Sequence, residues 1–130
     1  MFELNSKDPF MGIKFEKGYL PFPLSNDYKE KTNWFMYVYN NKGTKPEDIP
    51  LLIMNPGGPC WSSLIEMFIG IGSYKFDEEK IKLSKNKFTS ENFADTLYLE
   101  LPLGAGFSKS DPYVHTVDRN NQDWMMSLNM

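Results

Sequence analysis

The stretch Leu51-Leu52-Ile53-Met54-Asn55-Pro56-Gly57-Gly58-Pro59 limits the fold more than any other part of the chain. A short apolar run halted by a proline and glycine cluster reads as a strand buried on both faces and ended by a tight loop. Ser62 and Ser63 follow, and then Leu64, Ile65, Met67, Phe68 and Ile71 at helical spacing. A serine-capped helix is expected there, with Glu66 near its positive end and Gly70 and Gly72 closing it. A strand, a glycine loop and a helix in that order gather unpaired backbone N–H groups where glycines let a ligand come close. Such a place suits an oxyanion.

Thr96-Leu97-Tyr98-Leu99-Glu100-Leu101 repeats the pattern, closed by Pro102 and the Gly104-Ala105-Gly106 turn. Upstream, the prolines around Tyr19 to Phe22 permit an edge strand, and Asn33 to Tyr39 is dense in aromatic and β-branched residues. Tyr19 to Tyr39 is therefore expected to form a hairpin at a sheet edge, with Ser25 to Thr32 as its turn. Lys75 to Lys87 reads as a charged loop. Thr116 to Met130, with Asp118 in its opening turn, reads as a helix that turns Trp124, Met126 and their neighbours to a core. Strands separated by loops and helices favour an α/β fold, a mixed sheet with an N-terminal antiparallel hairpin.

At 130 residues with 41% hydrophobic and 15% aromatic residues, the chain has material for one globular core. The formal charge of -3 and the lack of a basic run argue against nucleic acid as a partner. No apolar run approaches the roughly 20 residues of a membrane span. The N-terminal residues lack the basic and apolar regions of a secretory signal, and no Asn-x-Ser/Thr sequon occurs. Cys60 is the single cysteine. No disulfide can form within the chain, and no set of cysteines and histidines has metal-ligand spacing. Gly104-Ala105-Gly106 lacks the further glycine and acidic residue of a dinucleotide fingerprint, so no cofactor is expected.

Residues 49 to 64, ending Asn55-Pro56-Gly57-Gly58-Pro59-Cys60-Trp61-Ser62-Ser63-Leu64, resemble the serine carboxypeptidase hallmark, an apolar strand followed by Asn-Gly-Gly-Pro-Gly-Cys-Ser-Ser. Ala94 to Ser108 resembles the family segment Asn-Val-Leu-Phe-Leu-Asp-Gln-Pro-Val-Gly-Thr-Gly-Phe-Ser. Gly18-Tyr19-Leu20 and Asn33 to Tyr39 look like its opening strands, in the same order. The resemblance implies an α/β-hydrolase in which Gly58 lends a backbone N–H to the oxyanion hole and Gly57 shapes the approach. It also implies a substrate ending in a free carboxylate, the C-terminus of a peptide or protein, with Asn55 the nearest match to the asparagine that binds it. Pro56 stands at that asparagine's ungapped position, Gly70 where a carboxylate-binding glutamate is expected, and Glu66 about one turn away. Cys60-Trp61 replaces Gly-Cys, and Glu100-Leu101 replaces Asp-Gln. By family habit the location is vacuolar, lysosomal or secreted.

The nucleophile of such an enzyme sits on a Gly-x-Ser-x-Gly elbow, followed in the chain by the acid and then the histidine. No such pentapeptide occurs in these 130 residues. Ser62 and Ser63 read as helix caps and Ser108 as a loop residue, while His115 has the wrong order for the triad base. The expectation is the N-terminal portion, residues 1–130, of one domain, ending before the elbow and inactive by itself. A noncatalytic binding protein and an acyltransferase on the same scaffold are the alternatives. Oligomeric state and peptide preference are left open by the sequence.

Overall fold

A computed structural model describes residues 12–22, 29–40, 46–55, 61–77, 79, 81–111 and 116–129. Strands β1 (Phe15–Pro21), β2 (Glu30–Val38), β3 (Leu51–Met54), β6 (Asp95–Leu99) and β7 (Lys109–Asp111) form one mixed sheet, with β4 (Tyr74–Asp77) and β5 (Lys82–Lys85) a separate hairpin. The large sheet runs β1-β2-β6-β3, and β7 pairs with the beginning of β2. β3 and β6 are parallel, with Leu51 opposite Asp95 and Met54 opposite Tyr98, and the other pairs are antiparallel. The sequence supports the parallel pair because both strands are apolar runs without an interior proline.

Side-chain alternation divides the core into two layers. Trp34, Met36, Val38 and Tyr98 pack on one face with Met67 of α1 (Leu64–Ile69) and Tyr74 of the hairpin. Phe35, Leu97, Leu99 and Ile53 face the other way, against Trp124 and Met126 of α2 (Val117–Leu128). The two helices thus cover opposite faces of the sheet. α2 begins as expected: Thr116 is extended, and its hydroxyl accepts from the Arg119 N–H at 3.1 Å.

Several expectations need correction. The hairpin of β1 and β2 is present, but only β1 lies at the edge, because β2 pairs on its other side with β6 and β7. β2 opens at Glu30, inside the stretch read as a turn, because Lys31 is buried there against Asp123 of α2 at 2.5 Å. β3 is half-covered rather than enclosed, with Leu51 exposed, since no described strand lies beyond it. Across residues 75 to 87, read as a loop, the described Tyr74–Asp77 and Lys82–Lys85 are paired strands. Tyr74 and Phe76 alternate with Lys75 and Asp77, and they pair in register with Leu83 and its neighbours.

Candidate functional site

The parallel strands β3 and β6 end side by side, which places the chain segments after them at one rim of the sheet. In open α/β sheets this carboxyl rim is where ligands bind. Asn55 stands there, exposed, directly after β3. Gly57 and Gly58, with Pro56, Pro59 and Cys60, lie outside the described residues. On the far side of that loop Trp61 is 57% exposed, and Ser62 and Ser63 lead into α1.

The serines do more than begin a helix. Ser63 occupies the N-cap position in a helical conformation and makes no capping bond with its side chain. The Ser62 hydroxyl accepts from the Leu64 N–H at 3.2 Å and donates to Glu100 Oε1 at 2.5 Å. The Ser63 hydroxyl donates to the same oxygen at 3.1 Å. Capping is thus correct for Ser62 in part and is replaced in Ser63 by a bond to Glu100, the residue after β6. Helix α1 ends at Gly70 as expected, its N–H bonded to the Glu66 carbonyl at 3.2 Å. A Cβ at Gly70 would overlap the Glu66 carboxylate, so Glu66 fills the space that a side chain at position 70 would take.

Glu100 directly follows β6 and is fully buried. Its N–H donates to the Trp34 carbonyl at 3.1 Å, and its carbonyl accepts from Ser108 Oγ at 2.7 Å. The loop from Leu101 to Phe107 folds back over the side chain, closed by the Ser108 N–H to the Ala105 carbonyl at 2.9 Å. Gly106 has φ +53, and a Cβ there would collide with the Glu100 carboxylate. Ser108 is buried and also accepts from the Trp34 N–H at 2.8 Å, with Asn33 Oδ1 3.1 Å away. Its hydroxyl joins the end of this loop to β2 and to Glu100. His115 lies outside the described residues.

A second buried acid lies against β6, in the short turn Ser90–Asn92. Glu91 is fully buried and accepts from the Tyr98 hydroxyl at 3.3 Å. Burial pushes the Glu91 carboxyl above its ordinary range, outweighing the hydroxyl and backbone hydrogen bonds that lower it. Burial also pushes up the Tyr98 phenol, and raises that of Tyr74 to about 12, the Glu91 charge adding to both. Neither Glu100 nor Glu91 stood out in the sequence as a candidate. An acidic residue closing an apolar strand before a proline and glycine turn was the available signal for Glu100.

Similarity to known proteins covers nearly the whole chain. The serine carboxypeptidase family model matches residues 6–129. The pheromone-processing carboxypeptidase KEX1 of Candida glabrata is 33% identical over 88% of this chain and 16% of its own length. Serine carboxypeptidase-like 37 of Arabidopsis thaliana is 34% identical over 76% of this chain and 20% of its own. Among solved structures, a prohormone-processing carboxypeptidase from Saccharomyces cerevisiae superposes with a TM-score of 0.62 at 26% identity, over 75% of this chain and 21% of that one. The chain spans about a fifth or less of the length of these relatives. On its matched residues and its mixed α/β sheet, the chain belongs to the serine carboxypeptidase family.

Proposed function

We propose that these residues form the N-terminal part of an α/β-hydrolase domain in a serine-type carboxypeptidase, an enzyme that removes the last residue of a peptide. In this reading a serine on an elbow outside residues 1–130 attacks the final peptide carbonyl. The backbone N–H of Gly58 is one of two donors to the oxyanion that forms, and Gly57 keeps the approach clear. Asn55, exposed at the same rim, lies on the path of the substrate's carboxylate. The chain alone has no nucleophile and is inactive. The chemistry needs neither metal nor cofactor. Among the described residues no helix is long and apolar enough to cross a membrane, and a vacuolar, lysosomal or secreted location follows from the family.

The observation that carries this reading is the parallel ending of β3 and β6, with the glycine loop following one strand and a fixed, buried Glu100 following the other. The test is a chimera in which residues 1–130 replace the matching segment of a serine carboxypeptidase. It should hydrolyse an N-blocked dipeptide with a free carboxylate, spare the amidated form, and lose activity to a serine-directed covalent inhibitor. Residues 1–130 by themselves should show no turnover. Turnover by the isolated chain that the same inhibitor abolishes would overthrow the assignment of the nucleophile.

A further inference from the structure

Glu100 is joined to three separate segments. Its carboxylate takes two hydroxyls from Ser62 and Ser63, which lie 38 and 37 residues earlier in the chain. Its main chain bonds Trp34 of β2 and Ser108 at the close of the following loop. Its second oxygen, Oε2, has no hydrogen-bond partner among the described residues and rests against Gly106, where no side chain could fit. An acid that merely filled this space would be poorer than a leucine or methionine, because burying a carboxylate is unfavourable without compensating bonds. The bonds it does make converge from one dipeptide. That dipeptide opens α1, a helix of 6 residues, too short to fix its own beginning. Ser63 also lacks the side-chain cap that would do so from within.

We infer that Glu100 is a positioning residue that fixes the start of α1 through the Ser62 and Ser63 hydroxyls. The rim after β3 is thereby tied to the rim after β6. Its catalytic meaning rests on the proposed function: the glycine loop is followed at once by the segment Glu100 holds, so the placement of that segment bears on the oxyanion donor.

The hold can be read by amide hydrogen exchange in the purified chain, without substrate. The reporters are the Ile65 and Glu66 N–H groups, bonded to the Ser62 and Ser63 carbonyls at 3.0 and 3.2 Å. The pairing of Phe35 with Leu99 and of Tyr37 with Leu97 serves as the reference. Glu100→Met keeps the volume and removes the acceptor, and should speed exchange at Ile65 and Glu66 by about tenfold or more while the reference pairs change little. Glu100→Gln keeps an oxygen for both hydroxyls and should stay within about threefold of wild type. The double variant Ser62→Ala/Ser63→Ala should reproduce the local rise, and it decides the matter if Glu100→Met does not fold.

Unchanged protection in Glu100→Met, an equal rise in Glu100→Gln, or a rise shared equally by the reference pairs contradicts the positioning role. Because no turnover is measured, an inactive chimera would count against the carboxypeptidase reading alone.

Discussion

Lys31 of β2 and Asp123 of α2 meet at 2.5 Å with both side chains buried. The Lys31 ammonium also lies 4.9 Å from the Phe22 ring centroid, and Ser127 and Asn33 extend the polar contact with a 2.8 Å hydrogen bond. This pair fastens the second helix to the sheet. Asp123→Ala removes the acid of α2 that Lys31 pairs with and is expected to cost about 3–5 kcal/mol in denaturant unfolding. Joint replacement, Lys31→Met with Asp123→Leu, should recover most of that loss, since an apolar pair of similar volume has no charge to desolvate. A double variant as unstable as the single one would show that the site cannot repack.

Gly106 and Gly12 both have positive φ, yet they should respond differently to alanine. At Gly12, φ +82, an added Cβ meets only Lys85 Nζ at 3.8 Å, an ordinary contact with the end of a flexible side chain. Gly12→Ala should therefore cost about 1 kcal/mol of backbone strain. At Gly106 the Cβ also collides with the buried Glu100 carboxylate, and the loss should be roughly 2–4 kcal/mol by urea unfolding. Equal losses at the two positions would contradict the packing of Glu100 beneath Gly106.

Glu91 makes stability depend on pH in a definite direction. Its carboxyl is raised above the ordinary value of 4.5, chiefly by burial. A group whose folded-state pKa is raised contributes stability that is fully present below the unfolded value and lost as pH rises through the folded one. Tyr98 and Tyr74, the phenols beside it, add no charge of their own, since phenols ordinarily titrate near 10 and burial raises these two further. Glu91→Gln, always uncharged, should therefore be less pH-sensitive, gaining on wild type in unfolding midpoints as pH rises above the ordinary carboxyl value of 4.5. A wild-type protein that gained on the variant with rising pH would reverse the sign.

The sequence was most legible where local signals agreed. The apolar run of β3, its Asn-Pro-Gly-Gly-Pro stop and the helical spacing after Ser63 identified a strand and the helix after it, and Asp118 with the apolar Trp124 to Leu128 stretch identified α2. The hairpin of β4 and β5 was hidden because lysines and an aspartate occupy its outward positions, although Tyr74, Phe76 and Leu83 alternate between them. β7 carries no apolar signal at all. Lys109 to Asp111 become a strand only by pairing with Glu30 to Thr32, helped by the Lys109 to Glu30 contact at 3.0 Å. The role of Glu100 was equally out of reach, because its hydroxyl partners come from a segment that only the folded chain brings beside it. Local spacing can expose a glycine loop. It cannot show which distant residue holds the loop's end.

In the proposed carboxypeptidase, the Gly58 N–H stabilises the oxyanion. In the active chimera, replacing the peptide bond that supplies this N–H with an ester by semisynthesis removes the donor hydrogen and little else. Expected is a fall in kcat of about 10²–10³ with KM changed only slightly, on an N-blocked dipeptide with a free carboxylate. An ester-linked chimera with undiminished kcat would contradict the assignment of Gly58.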